Sequence, residues 1–295
     1  MPARHILLAL LVTVIWGLNF VVIKVGVGTV PPLLLSALRF AFAAVPAIFF
    51  LPRPAADWRI VTGYGFILGV VKFGLLFTAI AVGMPAGLAS LVLQAQAFFT
   101  ILFAALVLKE KPGPHQFLGG VVACLGLVLI GWPRLTGSEM VPFLLTVAAA
   151  AAWGVANIVS KRAGRIDMLG FIVWASLVPP IPLLVLSFWI EGWDRMSTAL
   201  SHLDMTGIGA VAYLAYPTTV IGFGIWGFLM SRHTAATVAP FSLLVPMTGI
   251  ACASLILGER MLPIEALGGA VIILGLVINT FGLRLIQRLR PASAM

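Results

Sequence analysis

The sequence predicts an all-α integral membrane protein whose ten transmembrane helices form two inverted five-helix repeats, with both termini in the cytoplasm. Hydrophobic residues make up 61% of the 295-residue chain and charged residues only 9%, which leaves too little polar surface to cover a soluble globule. Ten largely uncharged stretches are each long enough to cross a hydrocarbon core about 30 Å thick. The second half of the chain then repeats the first.

The ten stretches are long apolar runs without the two-residue alternation of barrel strands, so they predict helices. The first is too long, and too poor in small-residue cleavage signals, to be a removable secretory peptide. The longest loop, 191–204, is too short to hold a soluble catalytic domain. The predicted spans run from His5 to Val25, Pro32 to Leu51, Ile60 to Ala81, Pro85 to Leu108, Pro114 to Trp132, Met140 to Val159, Met168 to Ile190, Met205 to Met230, Thr234 to Leu257 and Pro263 to Leu283.

Positive charge is distributed unequally between the two sides of the predicted bundle. A net charge of +9 would suggest nucleic-acid binding in a soluble protein, but in a membrane protein its position in the loops indicates topology. A cytoplasmic N-terminus places Lys24, Arg134, Arg195 and Arg260 outside. It places twelve basic residues inside, namely Arg4, Arg53, Arg59, Lys109, Lys111, Lys161, Arg162, Arg165, Arg232, Arg284, Arg288 and Arg290.

An internal repeat divides the chain into residues 1–135 and 136–295. The segment Trp16 to Lys24 matches Trp153 to Lys161, and residues 101–128 align without gaps to 250–277 with 14 of 28 positions identical. Because each copy has five spans, an odd number, the second copy enters the membrane in the opposite orientation. Inverted repeats of this kind are typical of transporters that alternate between states open to opposite sides.

The identical positions include glycine pairs and a glutamate. Gly119-Gly120 and Gly268-Gly269 are expected to let neighbouring helices pack closely. Glu110 and Glu259 follow spans four and nine beside basic residues, where solvated or paired structural carboxylates are expected.

The repeated units resemble a known family. Trp16-Gly17-Leu18-Asn19-Phe20 in span one and Leu108-Lys109-Glu110-Lys111 after span four are similar to the EamA family of the drug/metabolite transporter superfamily, and the likeness extends from residue 4 to 284. Within that family, residues 83–101 are most similar to the exporters of O-acetylserine and cysteine. Those exporters carry an uncharged polar residue at the position of Lys72, so the substrate does not follow from the likeness.

The resemblance implies a multi-pass protein of the bacterial inner membrane that exports amino acids of broad specificity, of the aromatic, threonine, methionine or cysteine type. Efflux of drugs or other small metabolites is the alternative within the superfamily. The expected partners are the small solute and the lipid bilayer. A monomer is sufficient for this function, and the resemblance does not decide between a monomer and a dimer.

Lys72 lies deep in predicted span three, where an ionisable group costs roughly 2.5 to 3.5 kcal/mol and suggests a function. At 1.5 Å per residue it is ~18 Å from one end of the span and ~13 Å from the other, too far for its side chain to reach either interface. No Asp or Glu lies deep in a predicted span to neutralise it. An amino-acid carboxylate is the proposed partner, and a neutral lysine bonded to backbone or amide oxygens is the alternative.

Arg39 and Gln96 are further candidates for contact with the solute. Arg39 is ~10 Å from the end of span two, so its guanidinium either reaches the interface or contacts the solute. Gln96 and Thr100 are four residues apart and form a polar stripe on span four, for contact with the solute or for bonding between helices.

Trp153 and Asn157 share one face of span six, and Trp16 and Asn19 take the corresponding place in span one. An aromatic wall beside an amide suits an ammonium group and an apolar side chain. The two tryptophans are equally suited to a repeated scaffold role.

Spans eight and nine combine polar residues with prolines. Tyr213, Tyr216 and Ser242 are candidate binding residues, and Pro217, Pro240 and Pro246 are candidate hinges because proline interrupts helical hydrogen bonding. Packing kinks would need the same prolines.

Other classes of function lack the residues that they need. The spans contain no nucleophile with a base, no carboxylate pair and no His or Cys spacing for a metal, so neither an enzyme nor a bound metal or cofactor is predicted. A channel would need rings of charge or a carbonyl filter. No nucleotide-binding glycine loop occurs, and the carboxylates that relay protons in coupled carriers are missing, so facilitated or weakly coupled efflux is expected.

Overall fold

A computed structural model describes residues 1–135, 137, 139–164 and 166–289, with the backbone alone described for 235, 236 and 283–289. The described residues contain ten helical segments long and apolar enough to cross a membrane, and no strand, which confirms the predicted class and number of spans. Arg165 and Arg290, which contribute to the charge asymmetry, lie outside the described residues, as do the side chains of Arg284 and Arg288. The location of the termini stays a prediction.

The spans, numbered one to ten along the chain, lie within a few residues of their predicted positions. They are Ala3–Gly26, Pro32–Phe49, Trp58–Ala81, Ala86–Val107, Pro114–Arg134, Met140–Lys161, Met168–Ile190, Met205–Arg232, Ala239–Leu257 and Pro263–Gly282. One further turn, Ala235–Val238, precedes span nine.

Three spans begin after an aspartate that caps its own helix. The carboxylates of Asp57, Asp167 and Asp204 each accept a hydrogen bond from a backbone N–H two or three residues further along the chain. These bonds satisfy donors that the first turn of a helix leaves without an internal partner. The same residues thereby set where spans three, seven and eight begin.

Two features of the region around span seven differ from the sequence prediction. The span is divided into Met168–Ala175 and Pro180–Ile190, because Pro179 and Pro180 lack the N–H groups that would continue the helix. The stretch expected to be the longest loop forms a short helix, Trp193–Ser201, with Met196 buried and Trp193 exposed.

Helical irregularities occur at matching places in the two halves. Span three contains a π-helical segment, Gly65–Lys72, and span eight contains one at Tyr216–Ile221. Span four contains a 3₁₀ turn at Leu93–Ala95, and span nine contains one at Ala239–Leu243. Pro217 and Pro240 lie within the segments of spans eight and nine, and such breaks in regular α-helix commonly occur at functional sites.

The first span of each half packs on spans of the other half. Span one packs on spans eight and nine, span six packs on spans three and four, and span five packs along span ten. Glycines allow the last contact: a Cβ atom at Gly126 would lie 2.6 Å from the carbonyl oxygen of Gly268. The expected close packing is confirmed for Gly119, Gly268 and Gly269, where an added Cβ atom would lie within 2.8 Å of a neighbouring helix, but not for Gly120, which has ordinary space.

The two ends of the bundle differ in charge. We call the end with Arg4, Arg53, Lys161 and Arg232 the basic end. At the opposite end a buried Arg134 pairs with Glu265, joining span five to span ten. Also there, Glu191 after span seven accepts a hydrogen bond of 2.7 Å from the backbone N–H of Leu33 in span two.

Candidate substrate site

Lys72 is the last residue of the π-helical segment of span three, and only 3% of its surface is exposed. Its ammonium nitrogen lies 3.2 Å from the ring centroid of Phe73 and 4.6 Å from that of Trp153. The ion pairs of the described chain all lie at span ends and do not involve it. Among the residues that the structure describes, Lys72 therefore has two aromatic faces beside it and no counter-ion.

Arg39 is buried against the same phenylalanine, with 1% of its surface exposed. Its guanidinium carbon lies 4.1 Å from the ring centroid of Phe73, and Nη2 donates a hydrogen bond of 3.1 Å to Oγ1 of Thr219. Nε and Nη1 have no hydrogen-bond partner among the described residues. The possibility that Arg39 reaches the interface is wrong, because its side chain turns inward onto span three. Two cationic groups thus lie around one aromatic ring.

The polar residues of spans four and six are bonded to each other. The Nδ2 atom of Asn157 donates to Oε1 of Gln96 at 2.8 Å and to Oγ1 of Thr100 at 3.0 Å. All three side chains are half-buried. The structure therefore brings Gln96 and Asn157 together as a bridge between helices, close to Trp153 one turn earlier.

The candidates in spans one and eight form a second group. Nε1 of Trp16 donates to the carbonyl oxygen of Thr218 at 3.1 Å, and the hydroxyl of Tyr213 donates to the carbonyl oxygen of Ile15 at 3.0 Å. Asn19 is buried, and its carboxamide oxygen has no hydrogen-bond partner among the described residues. The two repeated tryptophans thus have different surroundings, and only Trp153 contacts a cation.

The first half of span four is packed on span nine, and its second half is not. Towards the opposite end, a Cβ atom at Gly249 would lie 2.6 Å from Oγ of Ser90, which shows how closely the two helices approach. Gln94, near the middle of span four, donates to the carbonyl oxygen of Ser242, near the start of span nine, at 3.4 Å. Beyond it, Gln96–Val107 packs on spans five and six. The two spans separate towards the basic end, beside the bridge of Gln96 and Asn157.

Comparison with known proteins places these features in a family. A model described as the EamA-like transporter family matches residues 3–132 and again residues 140–281. The chain belongs to the EamA-like transporter family. This EamA-like transporter is a multi-pass protein of the bacterial inner membrane.

Relatives of this EamA-like transporter match it over nearly their whole length. It is 46% identical over 290 residues to a protein of Escherichia coli named probable amino-acid metabolite efflux pump, covering 96% of this chain and 97% of that one. It is 29% identical to the probable terminal-alkyne amino-acid exporter of Streptantibioticus cattleyicolor, covering 97% and 96%. A crystal structure with TM-score 0.64 and 19% identity covers 99% of this chain and 100% of its own, and supports the fold alone.

The remaining candidates make no hydrogen bond or ring contact with Lys72 in the described chain. Tyr216 is 36% exposed and begins the π-helical segment of span eight. The hydroxyl of Ser242 donates to the carbonyl oxygen of Ala239 within the 3₁₀ turn that contains Pro240. Pro246 is buried near the start of the following helix, Leu244–Leu257.

Sequence reasoning missed Phe73 and Thr219, the two residues that hold Arg39. No sequence signal marks Phe73, because its position after Lys72 in the chain does not indicate that its ring also contacts Arg39 of span two. A cluster of three or more metal-ligating side chains is not found among the residues that the structure describes.

Replacing Asn157 by alanine is expected to lower the free energy of unfolding by about 1 kcal/mol, because Gln96 and Thr100 lose a shared donor between helices. Thermal unfolding in detergent measures the change. Asn19→Ala is the matched control, since the carboxamide oxygen of Asn19 has no described partner to lose. Equal shifts for the two variants would contradict a structural role for the bridge.

Proposed function

We propose that this protein is a secondary transporter that exports amino acids and closely related metabolites, with Lys72 as the site for the substrate carboxylate. The observation that carries the proposal is the buried ammonium of Lys72, which has aromatic faces beside it but no carboxylate from the described part of the chain. A buried charge without a counter-ion is costly, so an anionic group of a ligand is a strong partner for it.

The surroundings of Lys72 suit the rest of an amino acid. Trp153 offers an apolar wall, and the amides of Gln96 and Asn157 offer donors and acceptors at the edge of the separating spans. The carbon skeleton would lie along the wall while the amides orient the polar groups. A site that recognises the carboxylate more than the side chain has broad specificity. The names of the relatives from Escherichia coli and Streptantibioticus cattleyicolor support amino-acid derivatives as substrates.

Transport proceeds by alternating access between two inverted halves in this proposal. Support comes from the family match in each half, the recurring π-helical and 3₁₀ segments, and the exchanged packing of spans one and six. With the halves exchanged, the same contacts would give a bundle open at the opposite end. The turns that contain Pro217 and Pro240 are where spans eight and nine would bend, with Pro246 at the next turn.

The alternative of drug efflux is less well supported. Many drugs that cross membranes are lipophilic cations, and the cationic groups of Lys72 and Arg39 lie around one ring without a described carboxylate. They would repel such a substrate.

Counterflow in proteoliposomes tests the proposed function. Vesicles with purified protein and internal unlabelled amino acid are expected to accumulate labelled amino acid, and the corresponding amine without its carboxyl group is expected not to compete. Competition by the amine as strong as by the amino acid would remove the carboxylate from recognition. Accumulation of a lipophilic cation without amino-acid counterflow would favour drug efflux instead.

A further inference from the structure

Two charged positions recur in both halves of the chain but have different partners in the two copies. Lys24 of span one corresponds to Lys161 of span six, and Glu110 after span four corresponds to Glu259 after span nine. Lys161 donates to Glu110 at the basic end, whereas Lys24 donates to the carbonyl oxygen of Ile80 at 3.1 Å. Among the described residues, the ion pair is formed in one copy alone.

Glu259 has another role at the opposite end. Its two carboxylate oxygens accept hydrogen bonds from the backbone N–H groups of Ala86, at 2.8 Å, and Gly87, at 2.9 Å. These donors begin span four, a helical segment of 22 residues, where a negative charge is favourable. Glu259 therefore ties the loop after span nine to the start of span four.

The different partners of Glu110 and Glu259 correspond to a difference in helix packing between the two ends of the bundle. Glu259 bridges spans four and nine at the end where these spans are packed together, around Ser90 and Gly249. Glu110 pairs with Lys161 at the basic end, where span four has separated from span nine and packs on span six. A carboxylate that bridges the two spans thus accompanies the end where they are packed together, and a carboxylate that pairs with lysine accompanies the end where they have separated.

We propose that these four residues exchange partners during transport, an inference that rests on the alternating access proposed above. When the opposite end opens, Glu259 leaves the start of span four and pairs with Lys24. When the basic end closes, Glu110 leaves Lys161 and bridges to the turn just before span nine, at Ala235 and Ala236, which are equivalent to Ala86 and Gly87 in the repeat. The second state is the first with the two halves exchanged.

The energetics of the exchange suit a carrier. Each state contains one lysine–glutamate pair and one bridging carboxylate, so neither state is strongly favoured over the other, as reversible opening requires. The side chains of Lys161 and Glu110 are 55% and 49% exposed, and pairs in contact with water break readily.

Populations of the two states test the exchange directly. The distance between spin labels at residues 107 and 237 would measure opening at the basic end, and the distance between labels at 82 and 262 would measure opening at the opposite end. Cys124 and Cys252 are replaced by alanine so that only the introduced cysteines are labelled. Lys161→Met removes a contact made in the state with an open basic end, so it is expected to shift the population about 1.5- to 5-fold towards the other state. Lys24→Met is expected to shift it by a similar factor in the reverse direction.

Neighbouring charges supply the controls. Lys111 follows Glu110 in the chain and Arg260 follows Glu259, and neither Lys111 nor Arg260 belongs to a described ion pair. The control variants are Lys111→Met and Arg260→Met. Both variants are expected to leave the populations unchanged. The charge exchange Lys161→Glu with Glu110→Lys keeps an ion pair at the basic end but removes the carboxylate that would bridge to span nine. It is therefore expected to shift the populations opposite to Lys161→Met, which a variant that merely misfolds would not do.

Shifts in the same direction for Lys24→Met and Lys161→Met would overturn the exchange, as would a single population at both ends of the unmodified protein. These distances do not depend on substrate identity. Amino-acid counterflow without opposite shifts would leave the proposed function intact and remove the exchange. Opposite shifts without counterflow would support the exchange and reject the proposed substrate.

Discussion

Replacing Lys72 by methionine is expected to abolish saturable amino-acid transport while the protein still folds and reaches its normal level in the membrane. The substrate carboxylate would lose its charged partner, and a hydrogen bond to a charged group contributes about 1.5–3 kcal/mol, equivalent to a roughly 10- to 150-fold loss of affinity. Folding should not suffer, because Lys72 makes no hydrogen bond or ion pair with the described residues that would be lost, and methionine fills a similar volume. Concentration-dependent counterflow and thermal unfolding of the same preparation measure both expectations.

Ile221 provides the matched control for Lys72. It occupies the equivalent position at the end of the π-helical segment of span eight, and it is 47% exposed. Ile221→Met should therefore leave both transport and unfolding unchanged. Saturable transport by Lys72→Met with an unaltered half-saturation concentration would exclude Lys72 from the substrate site.

Replacing Gly126 by leucine is expected to prevent stable folding. The first added carbon alone would lie 2.6 Å from the carbonyl oxygen of Gly268 and 2.7 Å from a side-chain carbon of Ile272, so spans five and ten would have to move apart. Because overpacking against a backbone leaves no flexible group to give way, the loss should reach about 3 kcal/mol or more. The yield of monodisperse protein and its thermal unfolding would measure the effect.

Gly120 lies on the same helix and separates the effect of space from that of helix propensity. A Cβ atom at Gly120 would meet nothing closer than a ring carbon of Phe98 at 3.7 Å, an ordinary contact. Gly120→Leu should therefore be tolerated or slightly stabilising, since leucine favours helix more than glycine does. Equal losses for the two variants would show that the close packing of spans five and ten is not what requires Gly126.

The spans were predictable because an apolar stretch of sufficient length has few alternatives in lipid. The structure differs from the predicted spans in two places, at features that a count of apolar residues does not detect. The division of span seven depends on the pair Pro179 and Pro180, which the count of apolar residues ignores. The helix Trp193–Ser201 is amphipathic and too short to appear in such a count.

The candidate site was predictable in part. An uncompensated charge marked Lys72 as a candidate, and the helical face shared with Asn157 marked Trp153, whose ring centroid lies 4.6 Å from the nitrogen of Lys72. The inward direction of Arg39 was not predictable, because its length allowed either direction. The different partners of Trp16 and Trp153 were equally hidden, since identical residues in a repeat predict identical surroundings.

By itself the sequence determined the membrane class, the ten spans and the repeat, because hydropathy and self-similarity are properties of the chain alone. It also determined that one lysine would be costly in lipid. The tertiary structure alone decided which cations share Phe73, which amides bond each other, and which end of spans four and nine is packed. Those contacts join residues distant in sequence, and their geometry depends on how the helices cross, which no local pattern records.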